Sequence, residues 1–321
     1  MVGCNGMAET EAAETSHAIG GDPAARPRQA LLIVNARSGT ADRGLEPALD
    51  RLRQGGIVAT CIRPEHLSDI DSIIAQEAPA ADLIILGGGD GTLSGSAAAV
   101  MQADRPLGIL PMGTANDFAR ALAIPFDLEQ AASVIVDGRR RHVDVGVLNG
   151  RPFLNVASIG LGADVARFHT GERKRRLKLL SYPLSWIDAY RRHRPFRARI
   201  DCDGDVRVRR CAQLAVGSGR HYGGGMTLSA DAQVDDGWLR VYYVDPVGVW
   251  GWMRLLPILR LGRQRWEPNT DLLRARSVAI ETRRAKPINV DGELIGQTPA
   301  RFSILPRALE VIAPDGKAGG S

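Results

Sequence analysis

Between residue 30 and about residue 136, apolar runs that read as buried strands alternate with helical patterns, and this alternation constrains the fold more than any other feature of the chain. The runs "ALLIV" (30–34), "DLIIL" (82–86) and "LGIL" (107–110) are interleaved with "LEPALDRLRQ", "DIDSIIAQEA", "LSGSAAAVMQ" and "LEQAASVIVDG". Strands taking turns with helices imply a parallel sheet covered on both faces. Such sheets bind ligands outside the carboxyl ends of their strands. The loops expected at that edge are "NARSG" (35–39), "GGGDGT" (87–92) and "PMGTAND" (111–117).

After about residue 140 the texture changes. Short strand-like runs such as "HVDVGVL", "RPFLNVASI", "RARIDCDG", "WLRVYYVD", "SVAIET" and "LEVIAP" are separated by Gly, Asp and Pro. That is the texture of an antiparallel sandwich or barrel. Helical inserts are expected at about 174–192 and 247–264. A chain of 321 residues is long enough for two cores. The expected division is a disordered tail over 1–28, an α/β nucleotide-binding domain over 29–139 and a β-sandwich domain over 140–316. The tail is rich in Ala, Glu, Thr, Gly and Pro and lacks the apolar centre of a signal peptide. Scattered cysteines without a C-x-x-C pair fit a reducing cytoplasm.

The stretch "LIILGGGDGTLS" (83–94) ends a strand in a glycine-rich loop. It has no lysine, so it is not G-x-x-x-x-G-K-[ST], and Ser94 stands where G-x-G-x-x-G needs glycine. Glycines at 87, 88, 89 and 91 let backbone N–H groups approach a phosphate, and the helix from Thr92 presents its positive end. Asp90 would repel a phosphate unless a cation lay between them, so the loop suits a Mg²⁺-nucleotide. "GILPMGTANDFAR" (108–120) repeats this layout, with Thr114 or Asn116 placed to cap a helix whose first turn carries Asp117. Asp144, in "HVDVG", is a carboxylate in an apolar stretch, and it needs a partner or a metal. "INVDGELIGQTP" carries Asp291 and Glu293 around Gly292, a strong hairpin-turn signal. "SADAQVDDGWLRV" (229–241) is turn-like and rich in oxygen acceptors of the kind that hold a hard cation.

Taken together and in this order, G-G-D-G-T, G-T-A-N-D-F-A-R, V-D-V-G, D-D-G and the late V-D-G-E resemble the soluble bacterial diacylglycerol kinase and lipid kinase family, relatives of sphingosine and ceramide kinases. The resemblance runs from about Ala30 to Pro314. It implies an active site in the cleft between the two domains, and ATP- and Mg²⁺-dependent phosphorylation of a lipid hydroxyl. By position it implies that Asn35, Gly87, Gly88, Gly89, Asp90, Gly91, Thr92, Leu93 and Thr114 contact ATP. It places Asp291 as general base, with Glu293 in the same D-G-E motif, and Asp90, Asp117 and Asp144 at positions associated with catalytic Mg²⁺. It further implies a structural Mg²⁺ on Asp236, with backbone oxygens of Gln233 and Trp238. This sequence departs from the pattern at Ser94-Gly95, where Asn-Glu is usual, at Ala36 and at Pro64. Other readings are a kinase of a small soluble acceptor, as in NAD kinases, and a non-catalytic nucleotide- and membrane-binding regulator.

A lipid acceptor requires a surface that meets membrane. Residues 167–199 hold eleven Lys or Arg against two acids, and residues 249–266 combine three Trp, several Leu and Ile and four Arg. That composition suits peripheral docking on anionic lipid at the inner face of the membrane. The bland alternative is a helix packed on the sandwich with solvated arginines. No nucleic-acid recognition motif accompanies the charge.

Overall fold

The computed structural model describes residues 28–35, 44–168, 189–219, 221–222, 226–227, 232–246, 248, 250–252 and 270–315. The tail over 1–27, loop residues 36–43, most of the first basic stretch (169–188) and residues 249 and 253–266 of the second lie outside them.

The chain opens with β1 (Arg28–Val34), α1 (Leu45–Gln54), β2 (Ile57–Ile62), α2 (Ile70–Glu77), β3 (Leu83–Gly88), α3 (Asp90–Gly95), α4 (Ala97–Ala103), β4 (Leu107–Pro111), α5 (Asp117–Ala121) and α6 (Leu128–Asp137). Strands β1 to β4 are parallel, in the order β2-β1-β3-β4. β3 and β4 are buried along their whole length, as the uninterrupted apolar runs require of strands covered on both faces. The α1 helix buries one stripe, Leu45, Ala48 and Leu52, while Arg51 and Arg53 close its last turn. The run "LSGSAAAVMQ" is two helices rather than one, divided at Ser96.

The remainder is β5 (Arg139–Leu148), β6 (Arg151–Phe153), β7 (Val156–Gly160), α7 (Leu161–Phe168), β8 (Phe196–Cys202), β9 (Asp205–Cys211), β10 (Gln213–Gly217), β11 (His221–Tyr222), β12 (Met226–Thr227), β13 (Leu239–Val244), β14 (Thr270–Ala275), β15 (Ser277–Thr282), β16 (Pro287–Val290), β17 (Glu293–Gln297) and β18 (Ala300–Ala313). One antiparallel sheet runs β14-β13-β10-β7-β16-β17. It faces β8, β15 and the first half of β18 across a core that includes Phe153, Ile159, Phe196, Leu214, Val241, Ile280 and Phe302. The fold is thus an α/β domain with a mostly parallel sheet joined to an antiparallel sandwich.

β18 belongs to both halves. Phe302 and Ile304 lie in the sandwich core, whereas Leu309, Val311 and Ile312 lie in the α/β core. Val311 pairs with Leu107 of β4 in parallel, so the last strand completes the nucleotide-side sheet. Its register against β5 shifts between Leu305 and Leu309, and Arg307 there adopts φ 53°. The α/β core therefore takes residues from beyond residue 300 as well as from 28–139.

Candidate active site

β3 and β4 run side by side, with Gly88 opposite Pro111, so their loops leave the same edge of the sheet. The two loops touch backbone to backbone. A Cβ on Gly89 would lie 2.9 Å from Cα of Gly113, and one on Gly113 would lie 2.5 Å from Cα of Gly89. The other glycines also face protein: Gly87 faces Met112, Gly88 faces Thr92, and Gly91 faces Oε1 of Glu293 at 3.2 Å from an added Cβ. Packing against the neighbouring loop thus demands glycine at 87 and 89, whatever else they contact, and Gly88 is crowded by Thr92 of its own loop. Asn35 joins the same edge, its N–H donating to Gly87 O and its Nδ2 to Thr92 Oγ1, both at 2.9 Å. Thr92 is buried, and Leu93 turns its side chain into the α/β core, so a nucleotide cannot meet the Leu93 side chain. Thr114 is exposed on the neighbouring loop.

Asp90 links three segments through one oxygen. Its Oδ1 accepts from the N–H of Phe118 at 3.0 Å and from Nδ2 of Asn155 at 3.1 Å. The first bond caps α5, a duty expected of Thr114 or Asn116. Asn116 instead closes its own loop, accepting from Gly113 N at 2.8 Å and donating to Gly113 O at 3.1 Å, in a left-handed conformation with φ 50°. Asp117 follows it, buried at the start of α5.

Asp291 and Gly292 form the two-residue turn of the β16–β17 hairpin. Both have positive φ, 47° and 97°, as a type I′ turn requires. The turn reading is therefore right, and the carboxylate does more. Its Oδ2 accepts from the N–H groups of Leu154 and Asn155 at 3.1 and 3.3 Å, and its Oδ1 from Val156 N–H at 2.9 Å. These donors converge because "RPFLNVASI" is not one strand. It breaks between β6 and β7, and the freed N–H groups of the break turn onto Asp291. Asp291 is half-buried as a residue, but its carboxyl is turned onto these backbone donors, and burial of that group pushes it up to about 6; the nearby Asp90 charge adds to the rise. The Ser94 hydroxyl and the Val156 and Leu154 N–H groups oppose it.

Asn155 is a site residue that the motifs did not point to. It is 3% exposed, it bonds Asp90 through its side chain and Asp291 through its backbone, and its Oδ1 is buried without a hydrogen-bond partner among the described residues. Beside this centre lies a cavity of about 230 Å³ lined by Gly91, Ser94, Gly95, Arg151, Glu293 and Ile295 among others. Glu293 stands exposed at its edge.

The acidic residues do not converge into one cluster. Among the described residues no three Asp, Glu, His or Cys side chains form a group able to hold a metal by themselves. Asp144, 3% exposed, is answered by partners: Oδ1 accepts from Arg307 N–H at 2.8 Å and Oδ2 from Gly237 N–H at 2.5 Å. It staples the irregular register of β18 to the loop before β13. That loop does gather Gln233, Asp236 and Trp238, but Gln233 and Trp238 present N–H groups to the Asp236 carboxylate, and the side chain of Arg240 lies against it.

The basic and tryptophan-bearing stretches are described only at their ends. Residues 196–199 are strand β8, with Phe196 and Ala198 in the sandwich core. Trp252 is buried in a cluster with Tyr242 and Val244, whereas Trp250 is 80% exposed. Among the described residues no helix is long and apolar enough to cross a membrane.

Comparison with known proteins agrees with this architecture. Residues 29–148 match the model of the diacylglycerol kinase catalytic domain, and residues 155–313 match that of the YegS C-terminal NAD kinase beta sandwich-like domain. A diacylglycerol kinase of Staphylococcus epidermidis is 30% identical over 293 residues, covering 89% of this chain and 92% of its own. One from Staphylococcus aureus is 30% identical over 294 residues, covering 90% and 93%. A crystal structure from Bacillus anthracis, assigned as a diacylglycerol kinase, superposes with a TM-score of 0.78 at 28% identity, covering 93% of this chain and 99% of that one.

Proposed function

The chain belongs to the diacylglycerol kinase family and is a lipid kinase, and on that premise we propose that it transfers the γ-phosphate of ATP to the free hydroxyl of a diacylglycerol or a related lipid alcohol. The observation that carries this reading is the Asp291 carboxylate. Backbone N–H groups hold it rigidly beside the glycine-rich loops, and its pKa of about 6 lies close to a working pH. Proton acceptors are most effective when their pKa lies there.

Phosphoryl transfer asks a protein mainly for positioning and for charge neutralisation. The loops that touch at Gly89 and Gly113 would present backbone N–H groups to the phosphates, with the exposed Thr114 nearby to add a hydroxyl. Mg²⁺ binds nucleotides through one or two carboxylates plus phosphates and water. Asp90, half-buried in its loop, and Asp117, buried in the first turn of α5, are the carboxylates proposed for that mode, and the ion would neutralise charge on the transferring group. Asp144, with both oxygens engaged, is left as a structural staple. The acceptor's polar end enters the cavity beside Ser94. Three backbone donors fill three of the lone-pair sites of Asp291, and the Ser94 hydroxyl faces the fourth. A neutral hydroxyl exchanges at little cost, so the lipid hydroxyl takes the place of Ser94 and gives its proton to Asp291 as the new P–O bond forms and the bond from the γ-phosphorus to the bridging oxygen breaks, releasing ADP. The basic stretch around residues 173–178 and the exposed Trp250 would hold the enzyme on anionic lipid.

The test is a product assay. Pure protein, γ-labelled ATP and Mg²⁺ are incubated with micellar diacylglycerol, ceramide or sphingosine, and separately with NAD. Label extracted into a phosphorylated lipid, phosphatidic acid where diacylglycerol is the acceptor, supports the reading. Label found only in a water-soluble phosphorylated acceptor contradicts it.

A further inference from the structure

The loop at 233–238 is where family resemblance implies a structural Mg²⁺, and its residues do not fit one. The Asp236 carboxylate has four lone-pair sites, and four N–H donors fill them. Oδ1 accepts from Trp238 N–H and from a terminal guanidinium nitrogen of Arg240, each at 3.1 Å. Oδ2 accepts from Gln233 N–H at 3.1 Å and from the other terminal nitrogen of Arg240. The carbonyl of Trp238, an expected metal ligand, accepts from the same guanidinium at 3.1 Å. Arg240 is 1% exposed and lies on β13, where every residue is buried.

We propose that Arg240 is the resident cation of this loop, taking the position and the charge-balancing role of a divalent metal. Its planar fork matches a carboxylate in two parallel bonds and leaves a donor for a backbone oxygen. A Mg²⁺ ion entering here would have to displace a buried guanidinium and leave its charge unpaired, which low-dielectric surroundings strongly disfavour. The neighbouring charges are already paired or stacked: Asp235 bonds Arg141 at 3.0 Å, and Arg276 lies 5.0 Å over the Trp238 ring. The loop, which Asp144 ties to β18 through Gly237, is therefore held without metal.

The experiment compares thermal melting of the nucleotide-free full chain in chelator and in millimolar Mg²⁺. A structural metal at a hundred times its Kd would separate the two melts by about 5–10 °C. The proposal expects the wild type and Asp236→Asn to show the same chelator response, zero included. It expects Arg240→Ala to melt lower in chelator than the wild type and to rise by several degrees with Mg²⁺, because Asp236 and the Trp238 carbonyl then face an open position. A wild type that loses stability in chelator, beside an Asp236→Asn variant that does not, overturns it. If Asp236→Asn does not fold, metal content decides. Wild type purified in Mg²⁺ and freed of unbound ion keeps the proposal if it carries less metal than Arg240→Ala treated alike, and an Arg240→Ala variant that carries no more metal than the wild type overturns it.

Discussion

Asn155 donates its side-chain N–H to Asp90 at 3.1 Å. Its own backbone N–H points to Asp291, so one residue of the sandwich half holds the loop carboxylate of the α/β half and the hairpin carboxylate together. Two carboxylates brought close repel, and donors shared between them offset that repulsion. Asn155→Ala should lower stability by about 1–3 kcal/mol, the cost of removing a hydrogen bond to a charged group. Asn155→Asp, which sets a third carboxylate against Asp90, should cost more. Urea unfolding checks this, and an Asn155→Asp variant as stable as the wild type would contradict it.

The loop glycines separate into two kinds. A Cβ on Gly89 meets backbone at 2.9 Å, which cannot swing aside, whereas one on Gly91 meets the end of the Glu293 side chain at 3.2 Å. Gly89→Ala should therefore cost about 1–3 kcal/mol of stability through overpacking and weaken ATP binding at the same time. Gly91→Ala should leave the melting temperature nearly unchanged. Calorimetry and melting curves on both variants decide it, and equal losses in the two would reject the distinction.

The raised Asp291 pKa has two consequences of fixed sign. If Asp291 is the proposed base it must be ionised, so kcat/KM for lipid should fall below an apparent pKa of about 6. In the native state the carboxyl binds its proton more tightly than in the unfolded chain. Its contribution to stability is accordingly full below the unfolded value of 3.8 and is lost as pH rises through about 6. The Ser94 hydroxyl lowers this pKa, so Ser94→Ala should move the acid limb of the profile upward. ATP ionises alike with both proteins, so an unmoved limb would detach Ser94 from Asp291.

Much of the fold was legible because buried parallel strands and amphipathic helices write their periods into the chain. "LEPALDRLRQ" is α1 residue for residue. The edge strand β2 shows the opposite case: only Ile57 is buried along it, so its residues carry little strand pattern. At the site, the chemistry-bearing side chains stood out by type, but their partners did not. Asp291 is bonded by N–H groups 135 to 137 positions away, from a break inside a run that reads as one strand. No local pattern marks Asn155. The glycine run had a legible composition and a hidden cause, since its neighbours Met112 and Gly113 come from the next loop. Arg240 did leave a signal: it shares its face of β13 with buried Tyr242 and Val244, where a charge needs a partner, and Asp236 precedes it by four residues.

If the basic stretch docks on anionic lipid as proposed, vesicle binding should weaken as salt rises, over the range in which the screening length falls to about 8–10 Å. Replacing Arg173, Lys174, Arg175 and Arg176 together by Ser should reduce binding to anionic vesicles while leaving ATP affinity unchanged. Sedimentation with vesicles measures the first and calorimetry the second. Vesicle binding indifferent to both salt and substitution would return these basic residues to a solvated, non-docking role.

The most direct measurement is the turnover of Asp291→Asn with Mg·ATP and diacylglycerol, taken well below its melting temperature. Asn keeps the size and accepts the left-handed turn conformation. It sets an amide N–H₂ among backbone donors, so some stability is lost, but its larger defect is that it cannot take a proton. The account predicts a kcat lower by roughly 10²–10⁴-fold with little change in the KM for ATP. A kcat near that of the wild type would show that Asp291 serves only the turn, and would contradict its role in the reaction.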